Sequence, residues 1–162
     1  MLKVIPKAWW SYGFSVMDGA ECVAQSVDRS SWKDKGELRI QGVTYTARRE
    51  KGAYVVESAA GVLARAVQPR KWYRTFVVEH SGHQYTLRAK SAFRREFLLF
   101  DGSTQIGSLS PEGMFTRRAA VDLPQTLPLV MRVFVIWLTM TLWKHADAAA
   151  AGGGAAVVAG SG

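Results

Sequence analysis

Residues 127–143 read LPLVMRVFVIWLTMTLW, and this run constrains everything else in the chain. Its large apolar side chains, among them Val130, Phe134, Trp137, Leu138 and Trp143, would fall on every side of a helix, with Thr141 beside them. A surface helix keeps one polar face, so a helix apolar all round must be buried in protein or in a bilayer. The run of about 17 residues gives ~25 Å at 1.5 Å per residue. A bilayer's hydrocarbon core is ~30 Å and asks for ~20 residues. Arg132 sits one turn inside the run, where insertion into lipid costs at least ~2.5 kcal/mol unless the side chain snorkels. Length and charge favour burial in protein. The alternative is a single-pass membrane protein anchored by 127–143.

The preceding sequence supplies what could bury it. From residue 9 to about 118 the pattern is period 2, the mark of half-buried strands. Trp10, Tyr12, Phe14 and Val16 share one face, and Asp18-Gly19 then signals a hairpin turn. Further alternating segments at 21–27, 37–41, 43–48, 53–58, 62–67, 73–80, 84–89, 97–100, 105–109 and 114–118 follow, most of them separated by short Gly-containing turns and the pair 62–67 and 73–80 by Gln68-Pro69-Arg70. That is about eleven strands, with no helix interleaved, which predicts an antiparallel sandwich or barrel. A barrel of about a dozen strands is too wide for its own side chains to fill. A helix 10–12 Å across would fill it. The sequence thus predicts a mainly β fold: an antiparallel barrel of about twelve strands enclosing a hydrophobic C-terminal helix.

The helix is predicted over about 124–150. Asp122 or Thr126 would cap it, and Pro124 or Pro128 would lie in its first turn. Residues 1–150 then form one barrel domain. The Gly/Ala tail at 151–162 holds few large side chains and is predicted to be disordered.

The order of elements, and in particular FLLFDGSTQIGSLSPEGMFTRRAAVDLP followed by the apolar helix, resembles the tubby C-terminal-like superfamily. The similarity is greatest to its LURP-one-related and phospholipid-scramblase-like branch, and it covers about residues 8–150. The resemblance implies a twelve-stranded barrel around a C-terminal helix. It also implies a lipid-related role, since tubby-like domains bind phosphoinositides through basic surface side chains, and scramblases are linked to phospholipid movement and calcium. No residue matches the tubby phosphoinositide motif. Asp122 is the sole acid between Arg117 and Arg132, so the acidic calcium-binding stretch of scramblases is missing. Their Pro-rich N-terminal region and cysteine cluster are missing too.

Charge points the same way. The chain carries 21 Lys and Arg against 13 Asp and Glu, a net charge of +8, which favours anionic partners. The candidate anionic-lipid residues are the basic pairs Arg48-Arg49, Arg70-Lys71, Arg94-Arg95 and Arg117-Arg118. Isolated pairs of this kind at strand ends are usually solvated turns. Nucleic acid is disfavoured because no recognised binding motif is present.

Catalytic chemistry has no signature here. His80 and His83 flank a turn with no second ligand pair, so no metal site is expected. Cys22, the one cysteine, shares an alternating face with Ala24 and is expected to be buried and inert. There is no Gly-x-Ser-x-Gly elbow and no Gly-rich loop opening a helix. Trp9, Trp10, Trp72 and Tyr73 read as strand or core aromatics. The expectation is a non-enzymatic, monomeric domain without cofactor, binding anionic phospholipid at the membrane surface, with a protein partner as a further alternative. One cysteine and no secretory signal predict a cytoplasmic location, peripheral at the membrane.

Overall fold

A computed structural model describes residues 1–7, 13–30, 34–70, 74–91, 95–113 and 118–161; the side chains of 28–30 and 152–161 are outside that description. Twelve strands precede one helix: β1 (Leu2–Pro6), β2 (Phe14–Asp18), β3 (Glu21–Ser30), β4 (Lys35–Ile40), β5 (Val43–Glu50), β6 (Ala53–Ser58), β7 (Gly61–Val67), β8 (Thr75–His80), β9 (His83–Ala89), β10 (Phe97–Asp101), β11 (Thr104–Pro111), β12 (Ala119–Asp122) and α1 (Leu129–Ser161). Each strand pairs antiparallel with its neighbours in sequence, and β1 pairs with both β2 and β12. The sheet closes into an up-and-down barrel, which leaves no free edge.

Turn chemistry explains the tight end of the barrel. Gln41-Gly42 has φ of 50° and 81°, and Ser81-Gly82 has 50° and 76°. These left-handed pairs match the twist of the flanking strands. All five connections at this rim are two residues long. At the other rim Lys51-Gly52 is again a two-residue turn, and the remaining five connections are four to seven residues long. Strand alternation puts Leu38, Ile40, Val56, Phe76, Val78, Leu87, Leu99 and Leu109 in the interior. Several interior positions are small, including Ala24, Ala47, Ala64 and Ala66, and these leave room at the barrel axis.

The helix takes that room. Met131, Val133 to Thr141 and Trp143 are all buried, on every side of α1. Burial of each large apolar side chain contributes roughly 1.5–3 kcal/mol. Arg132 escapes the interior at the end where the helix begins, where its Nε donates to the Leu127 carbonyl at 3.1 Å. Val130 at the same end is half-buried, while Phe134, Trp137, Leu138 and Thr141 lie in the core. The helix passes from the tight-turn rim to the long-loop rim. The strands already cover the apolar faces that the anchor alternative would give to lipid.

Five expectations are corrected or sharpened. The period-2 reading found about eleven strands; the missing one is β1, which closes the barrel. The last strand is Ala119–Asp122; the segment expected there, 114–118, lies outside the described residues except for Arg118. Asp122 therefore ends a strand and does not cap the helix. The first helical bond runs from the Arg132 N–H to the Pro128 carbonyl, so α1 starts at Leu129 and not near 124. The backbone stays helical to Ser161, past the predicted onset of disorder at 151. Alanine is the best helix former and a formed helix adds residues easily, although each Gly costs roughly 1 kcal/mol. Finally, Cys22 is exposed while Ala24 is buried. A bulge between Val16 and Met17 inserts Val23 opposite no partner, so the alternation changes phase between Cys22 and Ala24. Trp9, Trp10, Tyr12, Trp72 and Tyr73 lie outside the described residues.

Candidate anion site at the long-loop rim

The meander's parity decides where the charge goes. The segments joining strands at one rim are 7–13, 31–34, 51–52, 68–74, 90–96 and 112–118. In sequence they hold eleven Lys or Arg and three Asp or Glu, a net +8 that equals the charge of the whole chain. They also hold four of the six tryptophans; the other two, Trp137 and Trp143, are on α1. The five two-residue turns of the opposite rim hold no charged or aromatic residue. Of the rim residues, 8–12, 31–33, 71–73, 92–94 and 114–117 are not described.

Between the described parts of this rim and the emerging end of α1 lies a cleft of about 280 Å³. It is lined by Arg49, Tyr54, Gln68, Arg74, Phe76, Phe97, Leu142, His145 and Ala146. β5 and β6 bring Arg49 opposite Tyr54 in register, and the Arg49 guanidinium lies 5.9 Å from the Tyr54 ring centroid. Arg74 precedes β8, and its guanidinium lies 5.2 Å from the Phe97 ring. Tyr54 meets Phe76 and Trp137 edge-on, at 6.1 and 5.9 Å between centroids. The wall is thus aromatic and aliphatic, and its formal charges are the two guanidiniums of Arg49 and Arg74. Cations over ring faces gain about 0.5–2 kcal/mol each.

The surrounding groups hold the helix end in place. Trp143 Nε1 donates to the Arg95 carbonyl at 2.7 Å, and the Arg95 guanidinium lies 5.2 Å from the Trp143 ring. Arg95 also reaches Asp147 at 3.3 Å, yet its Nε is buried with no hydrogen-bond partner among the described residues. His145 Nε2 lies 2.8 Å from Oδ1 of the buried Asp34. Burial, and secondly the charge of Arg95, hold Arg74 below the usual arginine range. Burial, then the Asp34 carboxylate, push the Tyr54 hydroxyl up, and Arg49 opposes them.

The candidates named from sequence separate into groups. Arg49 lines the cleft and Arg95 adjoins it. Arg48 is engaged elsewhere, in ion pairs with Glu57 and Glu50. Arg70 and Arg118 are exposed at the same rim. Lys71, Arg94 and Arg117 lie outside the described residues. Sequence reasoning missed Arg74, His145 and Tyr54, because adjacent basic pairs were its signal and these three stand apart in sequence. The parity of the connections carries the better signal.

His80 and His83 behave as turn residues: His80 Nδ1 lies 2.9 Å from the Leu63 carbonyl and His83 Nε2 2.9 Å from Asp101. Among the described residues, no group of three His, Cys, Asp or Glu is placed to hold a metal ion. No family model, curated protein or solved structure matches the chain.

Proposed function

We propose that this chain is a non-catalytic barrel domain of the tubby C-terminal-like kind, nearest the LURP-one-related and scramblase-like branch, which docks on anionic phospholipid through its long-loop rim. The observation that carries this reading is the segregation of charge: one rim's connections hold a net charge equal to that of the entire chain, interleaved with four tryptophans. Trp and Tyr favour the headgroup region. Each Lys or Arg near an anionic surface is worth ~1 kcal/mol. The barrel-and-helix architecture agrees with what the resemblance implies. A cytoplasmic, peripheral location follows from the same reading, and a protein partner at this rim is the competing one.

Vesicle co-sedimentation at low salt tests it. Phosphatidylcholine vesicles with added phosphatidylserine should retain the protein, and neutral vesicles should not. Reversing two exposed rim charges, Lys7→Glu with Lys51→Glu, should weaken retention by ~30-fold or more at ~1 kcal/mol per lysine. Arg65→Glu, on the outer wall in β7, should change it far less. Equal retention on both vesicles, or indifference to the rim substitutions, would overturn the proposal.

A further inference from the structure

The cleft where α1 leaves the barrel has a chemistry that general attraction to a charged surface does not need. Its polar lining is two guanidiniums, an imidazole, a tyrosine hydroxyl and a glutamine side chain, with no carboxylate among the lining residues. Its remaining wall is Phe76, Phe97, Leu142 and Ala146. Guanidiniums are planar forks matched to the oxygens of phosphate. Arg49 and Arg74 are each held over a ring that lines this same cleft, so both forks are already oriented. The volume suits a headgroup and not a whole lipid, being at the low end for small-molecule sites. Burial and the charge of Arg95 both weigh against the charged form of Arg74. The Nε of Arg95, the neighbour whose charge acts on Arg74, is buried with no hydrogen-bond partner among the described residues.

We propose that the cleft lined by Arg49, Arg74 and His145 is a binding site for a phosphomonoester dianion, with the organic group it carries seated on the Phe76–Phe97–Leu142 wall. This rests on the anionic-surface reading only for the source of the ligand. A lipid headgroup and a soluble phosphate ester share this chemistry, and the experiment separates them.

Titration calorimetry with phenyl phosphate, at fixed ionic strength, should give saturable binding at one site. Inorganic phosphate should bind more weakly, because it leaves the apolar wall unused. Arg74→Gln and Arg49→Gln should each lower affinity by about tenfold or more, as loss of a charged hydrogen-bonding group does. Arg74→Lys, which keeps charge but not the fork, should recover part of it. Unchanged thermal unfolding would show that each variant is folded. Vesicles containing phosphatidic acid should retain the protein better than phosphatidylserine vesicles of equal surface charge, and Arg74→Gln should erase that preference. Retention on both vesicle types without preference, together with no phenyl phosphate binding, overturns the cleft and leaves the rim reading standing. Saturable phenyl phosphate binding without retention on any vesicle overturns the rim reading and assigns the cleft to soluble esters.

Discussion

Gly36 on β4 faces the Trp137 indole so closely that a Cβ built on it would lie 2.9 Å from Nε1. The barrel admits its largest helical side chain by omitting one of its own. Gly36→Ala should therefore destabilise the fold, although a strand normally gains from replacing Gly. Overpacking costs about 1–3 kcal/mol, and for a chain of this size each kcal/mol lowers Tm by roughly 2–4 °C. A melting curve checks this. Gly36→Ala paired with Trp137→Phe should recover part of the loss, because the smaller ring retreats from the added methyl. An unchanged Tm in the single variant would mean that the helix does not press on β4.

Cys22 should react with a maleimide or an aromatic disulfide in the native protein, without denaturant. Its side chain lies on the outside, near the Ala24 carbonyl and the Gln25 amide at 3.4 and 3.7 Å. Alternation alone would bury it with Ala24. Labelling that waits for denaturant would show that the bulge at Val16/Met17 has been misplaced.

These two cases mark what could be read from the chain directly. Period-2 segments located most of the strands, because each has one face on the core, and the all-round apolar run located the helix. β1 was not found, since five residues ending at Pro6, followed by a seven-residue connection, offer neither a long alternation nor a turn signal. β12 was placed too early because Ala119-Ala120-Val121-Asp122 carries almost no contrast between faces. The cleft was only half legible. Arg49 and Arg95 belong to basic pairs, whereas Arg74 and His145 are brought together by barrel closure and by the helix emerging at that rim. Charge parity among the connections becomes readable once the meander is known, and no local window contains it.

Alkaline titration should expose Tyr54. Its folded pKa is raised above the ordinary 10.0, chiefly by burial, so the folded state holds the hydroxyl proton more tightly than the unfolded chain does. The stability this contributes is complete below pH 10 and is lost as pH rises through the folded value. Tyr54→Phe removes the group and with it this loss. Above about pH 10, the ordinary tyrosine value, Tm of the natural protein should fall more steeply with pH than that of Tyr54→Phe. Parallel curves would refute the assignment.

Arg74 supplies the sharpest test, because site and stability pull in opposite directions there. Its pKa is lowered from the ordinary arginine value, first by burial and then by Arg95. The folded protein therefore favours the charged form less than the unfolded chain does, and at neutral pH the charged side chain costs stability. Its contact with the Phe97 ring offsets part of that cost. Arg74→Gln should then leave Tm unchanged or raise it, even as it removes phosphomonoester binding. Arg48→Gln gives the contrast: it breaks ion pairs with Glu57 and Glu50 on the outer wall, and should lower Tm slightly while leaving that binding intact. If Arg74→Gln instead lowered Tm markedly, the guanidinium would be a structural clamp at the end of the barrel rather than a binding group.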